Sequence, residues 1–232
     1  MLLAQLRQDV MKANQDLVRE GVVKFTFGNV SGIDRGQGLV AIKPSGVPYD
    51  ELTPSQIVVT DLDGRIVDGN LRPSSDLPTH LELYKAFPTI GGVAHTHSEF
   101  ATAWAQARRS IPCLGTTHAD YFHGAVPVTD EMTAEEIGGE YEKETGTVIV
   151  RRFRGLDPDA VPAVLVAGHG PFAWGKDADD AVHHAAALEY IARLATHTFA
   201  VNAGAQPIAP VLHDKHFLRK HGASAYYGQT NG

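Results

Sequence analysis

Short runs of β-branched and aromatic residues, none long enough to span a bilayer, alternate along this chain with stretches of helical periodicity. That alternation constrains the fold more than any other feature. It calls for strands and helices sharing one core, an α/β arrangement. Leu3, Leu6, Val10, Ala13 and Leu17 recur every three or four positions and so share one face of a first helix. Gln5, Arg7, Gln8 and Asp9 break up its apolar content, so it does not read as a secretory signal. Beyond Gly21, residues 22–30 and 39–42 have strand composition and are separated by the turn-rich SGIDRGQG. Residues 57–60 and 65–67 flank Asp61-Leu62-Asp63-Gly64, a hairpin signal because Asp-Gly tolerates positive φ.

The pattern continues to the C-terminal third. Pro78 suits the first turn of a helix through LPTHLELYKAF, and residues 91–97 read as a buried strand. Ser98 is placed to cap a helix running to about Arg108, and Thr133 with Glu136 forms a capping box. A second apolar strand, 163–167, ends in Gly168-His169-Gly170. Asp177 caps the longest helix, on which Ala178, Ala181, Val182, Ala185, Leu188 and Ala192 share a face. The expected fold is α/β, a single domain over residues 1–232 with a central, mostly antiparallel β-sheet flanked by helices.

Composition removes several function classes. With 20 Lys+Arg against 27 Asp+Glu, the net charge of −7 excludes a polybasic surface for nucleic acid or membrane. The apolar fraction of 43% is that of a globular protein, and the single Cys113 cannot close an internal disulfide. A soluble, cytoplasmic protein is expected. The unusual count is 12 histidines, which directs attention to metal or acid–base chemistry.

The densest signal is Gly91-Gly92-Val93-Ala94-His95-Thr96-His97. Alternation along a strand puts His95 and His97 on one face, half of a tetrahedral metal site. Two polar residues on a solvated strand is the plainer reading, but the apolar residues before them argue for burial, where imidazoles need partners. His169, between two glycines at a strand end, is the natural third imidazole, leaving one coordination position open. Three small-residue loops come next: Gly28-Asn29, Lys43-Pro44-Ser45-Gly46 and Pro73-Ser74-Ser75-Asp76. Each alone is a turn; together their N–H groups, hydroxyls and one lysine suit a phosphate dianion. No nucleotide-binding glycine motif is present. Asp76 is either a metal ligand or the cap of the helix opening at Pro78. Asp120, in Gly115-Thr116-Thr117-His118-Ala119-Asp120, is a candidate acid–base group. Tyr227, in the tail, is expected to be either disordered or recruited by a partner such as a neighbouring subunit.

The segments GNVSG, IKPSGV, RPSSDLPTH, GGVAHTHS, GTTHADYF, AGHGPFAWG and DKHFLRKHGASAYYGQ, in this order, closely resemble the sugar-phosphate epimerases of the class II aldolase/epimerase family. The resemblance covers essentially the whole chain. It implies an α/β fold with an antiparallel-rich sheet, assembled as a cyclic homotetramer with active sites between subunits. It implies a phosphorylated ketopentose substrate, with L-ribulose 5-phosphate and D-xylulose 5-phosphate interconverted by retro-aldol cleavage, rotation of the aldehyde and re-addition. It implies Zn2+ at His95, His97 and His169, with Asp76 as a further carboxylate and Mn2+ or Co2+ as possible substitutes. Gly28, Asn29, Lys43, Ser45, Gly46, Ser74 and Ser75 are then expected to hold the substrate, chiefly its phosphate. Asp120 and Tyr227 are expected to be the two proton-transfer groups, Tyr227 from the neighbouring subunit, and His216 lies near the site. Two other readings stay open: a class II aldolase of the fuculose phosphate type, which carries glutamate where Asp76 stands, and a non-enzymatic scaffold like the adducin head, which lacks the metal ligands.

Overall fold

A computed structural model describes residues 1–222, 225 and 226. Seven strands form one sheet: β1 (Gly28–Asp34), β2 (Leu39–Ile42), β3 (Val58–Asp61), β4 (Ile66–Asp68), β5 (Gly92–Thr96), β6 (Ala163–Leu165) and β7 (Pro171–Gly175). Their order is β4-β3-β2-β1-β5-β7-β6, and every strand pairing is antiparallel. The expectation of a mostly antiparallel sheet is met. The α-helices among the described residues are α1 (Ala4–Arg19), α2 (Leu77–Ala86), α3 (Glu99–Gln106), α4 (Thr116–Ala119), α5 (Ala134–Gly138), α6 (Tyr141–Arg152), α7 (Ala178–Val201) and α8 (Pro210–His221).

The helical stripes read from the sequence are the buried faces. Val10, Ala13 and Leu17 of α1 enter the core with Ala178, Ala181, Val182, Ala185, Leu188 and Ala192 of α7. The Asp177 side chain accepts from Asp180 N–H at the start of α7, and Thr133 with Glu136 makes both capping-box bonds. Both long helices come close to the sheet where Gly32, Gly92 and Gly175 sit opposite one another on β1, β5 and β7. A Cβ at Gly32 would lie 2.9 Å from Leu6 on α1, and one at Gly92 would lie 2.2 Å from the Asp177 carbonyl oxygen. This row of missing side chains lets α1 and the start of α7 rest on backbone.

Several boundaries differ from the sequence expectations. Residues 24–27 form a tight turn closed by a Lys24–Phe27 bridge, with Phe25 at φ +55°, so the first strand begins at Gly28. The strand expected over 163–167 stops at Leu165, and the chain turns back through the expected Gly168-His169-Gly170: Gly168 takes φ +73°, Val166 N–H donates to the Gly170 carbonyl, and β7, which has no counterpart in the sequence reading, returns along β6. The strand of 91–97 stops at Thr96, which leaves His97 at its mouth. Helices α6 and α8 have no counterpart in the sequence reading. Asp76 stands at the N-cap position of α2 but makes no side-chain cap bond, because its carboxylate is turned elsewhere.

Candidate functional site

The two histidines of the β5 segment and the histidine of the β6–β7 turn converge. His95 is buried, His169 half-buried and His97 exposed, and one nitrogen from each lies within 4.8 Å of the others. Burial therefore decreases outward, leaving an open side. His95 Nδ1 donates to the Pro171 carbonyl at 2.9 Å, which fixes the tautomer and leaves Nε2 with its lone pair directed at the cluster. The Nε2 atoms of His95 and His97 are 3.2 Å apart. Two nitrogens held tetrahedrally around a common ion at metal–nitrogen distances of about 2.0–2.1 Å would be separated by about 3.3 Å. The site thus fits a divalent cation on both geometry and donor set. His169 Nδ1 has the Tyr141 hydroxyl of α6 at 3.4 Å, a neighbour that no local pattern in the sequence marks.

Electrostatics keep these ligands available. Burial pushes the His95 pKa down to about 3, against the opposing pull of Asp76, and it lowers those of His97 and His169 as well. All three rings are neutral near pH 7, the form that binds metal. Burial pushes the Asp76 carboxyl up. The charge that His95 and His80 acquire on protonation in acid, together with a 2.6 Å hydrogen bond from Asn29 Nδ2, outweighs that effect and keeps its pKa below the ordinary value. Asn29 pairs with His95 across β1 and β5, so strand register brings the amide, the carboxylate and the cluster together.

A cavity of about 310 Å³ opens beside the cluster. Gly28, Asn29, Lys43, Ser45, Gly46, Ser74, Ser75, Asp76, His95, His97 and His169, expected from the sequence to bind substrate or metal, all line it. The loops meet because Ser74 N–H donates to the Lys43 carbonyl and Ser45 N–H to the Arg72 carbonyl. Lys43 is the one lysine or arginine among the described lining residues. Its Nζ is steadied by the Val47 carbonyl at 2.6 Å and stands over the Tyr49 ring. Burial lowers its pKa. Asn29 Oδ1 is buried without a hydrogen-bond partner among the described residues, an acceptor left for a bound hydroxyl. Thr26 and Phe27 also line the cavity, and neither stands out in the sequence.

Asp120 does not line this cavity. It follows α4, and its carboxylate meets α8: Arg219 Nη2 donates to Oδ2 at 2.8 Å, and His216 Nδ1 lies 3.1 Å from Oδ1. Burial would push its pKa up, but the Arg219 and His216 hydrogen bonds and the Lys220 charge outweigh it and hold it below the ordinary value. Tyr227 lies outside the described residues.

The profile of the family described as Class II Aldolase and Adducin N-terminal domain matches residues 8–196. The chain belongs to this family. Among class II aldolase relatives, the L-ribulose-5-phosphate 4-epimerases UlaF of Salmonella paratyphi A and Salmonella typhi are each 55% identical over 227 residues, 98% of this chain and 100% of theirs. Among solved structures, an L-fuculose 1-phosphate aldolase superposes with a TM-score of 0.77 at 28% identity, covering 93% of this chain and 96% of its own. The L-fuculose-1-phosphate aldolase of Thermus thermophilus shares the fold at a TM-score of 0.68 and 24% identity, covering 89% of this chain and 100% of its own. The class II aldolase fold is therefore the fold of this chain. No helix among the described residues is long and apolar enough to cross a membrane.

Proposed function

We propose that this chain is a metal-dependent enzyme that interconverts L-ribulose 5-phosphate and D-xylulose 5-phosphate. The observation that carries this reading is 55% identity, over 98% of the chain, to epimerases of that name. The aldolase reading fits less well, at 28% identity, and aspartate stands at position 76. The scaffold reading is disfavoured by the complete histidine cluster.

The chemistry accounts for the residues. The inverted carbon bears a hydroxyl but adjoins no carbonyl, so removal of an acidified α-proton cannot invert it. Cleavage of the C3–C4 bond, rotation of the aldehyde and re-addition can. His95, His97 and His169 would hold the divalent ion, with Asp76 as the nearby carboxylate. Zinc is the ion proposed, and manganese or cobalt would also suit these ligands. When bound, that ion supplies positive charge against the oxygens that become anionic as the bond breaks. Lys43, Ser45, Gly46, Ser74 and Ser75 would clasp the phosphate, with Gly28 and Asn29 completing the wall. A tethered fragment re-adds before it escapes.

Inversion needs a proton taken on one side and delivered on the other, roles we assign to Asp120 and Tyr227. Asp120 is absent from the cavity wall of its own chain, so the reading has it serve the cavity of an adjacent subunit, together with Tyr227, in a homotetramer. The reading is of one domain over residues 1–232, acting in the cytoplasm; the continuous core cluster from Val10 to Ala195 supports the former. Purified protein incubated with L-ribulose 5-phosphate should yield D-xylulose 5-phosphate without free glycolaldehyde phosphate. Release of the fragments with no epimer would replace this reading with the aldolase.

A further inference from the structure

Helix α8 contributes no buried residue of its own, yet it is located by polar contacts with residues 120–124. His123 Nε2 meets Asp214 Oδ1 at 2.9 Å, and the Gly124 N–H donates to His213 Nε2 at 3.1 Å. His221 Nε2 lies 3.0 Å from the Asp120 carbonyl oxygen. At the centre is the Asp120 carboxylate, which faces His216, Arg219 and Lys220, all from α8. The Arg219 guanidinium spans it. Nε reaches Oδ1 at 3.1 Å, while Nη2 reaches Oδ1 at 3.0 Å and Oδ2 at 2.8 Å. Both side chains are largely removed from solvent, with 23% and 14% exposure.

The two carboxylate oxygens are not equivalent. Among the described residues, Oδ1 takes two of the three guanidinium contacts and His216, whereas Oδ2 takes the third as its single hydrogen bond, with the Lys220 ammonium at 3.9 Å. A charged fork with two nitrogens in a fixed plane sets the rotation of a carboxylate; a point charge such as Lys220 sets only its ionisation. We infer that Arg219 is a positioning residue that orients Asp120 so that Oδ2 presents its uncommitted lone pair to the substrate hydroxyl. This rests on the reading that Asp120 exchanges a proton in the epimerisation. Arg219 itself touches no reacting atom. Its role is to hold the base ionised and aimed, so that a hydroxyl arriving at Oδ2 finds an acceptor without prior reorganisation.

The test uses the full-length, metal-loaded protein and three variants: Asp120→Asn, Arg219→Ala and Arg219→Lys. Arg219→Ala should lose roughly 100-fold in kcat, the cost of a misplaced catalytic group, with KM little changed. Without the guanidinium the Asp120 carboxyl titrates higher, so the acid limb of the kcat/KM–pH profile should move to higher pH. Added guanidinium ion should restore part of kcat in Arg219→Ala. Arg219→Lys, which keeps the charge and loses the fork, should stay at least roughly tenfold below the parent. Parental kcat and an unmoved acid limb in Arg219→Ala, with Asp120→Asn inactive, would overturn the inference alone. A loss in Arg219→Ala and Arg219→Lys that follows thermal stability, with neither limb shift nor rescue, would also overturn it. Full activity in Asp120→Asn would instead remove Asp120 from the proposed reaction.

Discussion

Replacing Gly92 with alanine tests whether the glycine row sets the distance between α7 and the histidine-bearing strand. The new Cβ would lie 2.2 Å from the Asp177 carbonyl oxygen, 2.4 Å from its carbon and 2.5 Å from the Ala178 nitrogen. The first is 1.2 Å inside the 3.4 Å at which ordinary contact begins. All three atoms are backbone at the start of α7, so no flexible side chain can swing aside. Either α7 lifts or β5 moves. Overpacking of well-packed interiors costs about 1–3 kcal/mol, and a clash against backbone belongs at the upper end, about 3 kcal/mol. For a chain of this size that corresponds to a fall in Tm of about 6–12 °C. Gly138→Ala is the control, since nothing lies within 4 Å of its Cβ position and it sits in α5. It should be neutral or stabilising by up to about 1 kcal/mol. Differential scanning calorimetry at one protein concentration reads both. Equal melting temperatures for Gly92→Ala and Gly138→Ala would refute the reasoning.

Other consequences concern pH and assembly. His118 is buried; its Nε2 donates to the Gly124 carbonyl, its Nδ1 has no partner among the described residues, and burial pushes its pKa down to about 4. The unfolded chain, titrating near 6.5, binds the extra proton first, so stability is intact above about pH 6.5 and falls toward pH 4 by up to about 3 kcal/mol. Urea midpoints of His118→Gln should decline less than the parent's over that window; parallel declines would contradict this. Mixing inactive His97→Asn subunits with inactive Asp120→Asn subunits should regain activity, because hybrid assemblies contain sites intact on both sides. Verified hybrids without activity would mean that Asp120 does not act across subunits.

The legible parts of this chain are those in which local pattern and tertiary role coincide. The buried faces of α1 and α7 are visible because three- and four-residue spacing is itself the packing pattern. The His95–His97 pair is visible because strand alternation fixes side-chain direction over two residues, and the small-residue loops because hydroxyls and glycine mark them. Other elements carry no such mark. Helix α8 buries no residue, so it has no apolar stripe to reveal it. Helix α6 contains Gly146 and β-branched residues that argue against a helix. That glycine is there because a Cβ would lie 2.6 Å from the Glu82 Cβ of α2. Strand β7 carries only a weak mark, because Pro171 and Gly175 bracket just three residues of strand composition. The Asp120–Arg219 pair joins residues 99 positions apart, beyond any local signal. Asp76 is ambiguous for a different reason: a cap and a ligand look alike until the Asn29 hydrogen bond shows where the carboxylate points.

Metal content measured alongside turnover is the most direct test of the central idea. Chelator-stripped protein should convert no L-ribulose 5-phosphate, and titration with Zn2+ should restore D-xylulose 5-phosphate formation in proportion to ion bound, saturating at one per chain. His97→Asn, folded by circular dichroism, should neither retain the ion nor recover. Full turnover by ion-free protein, or parental metal binding by His97→Asn, would contradict the account.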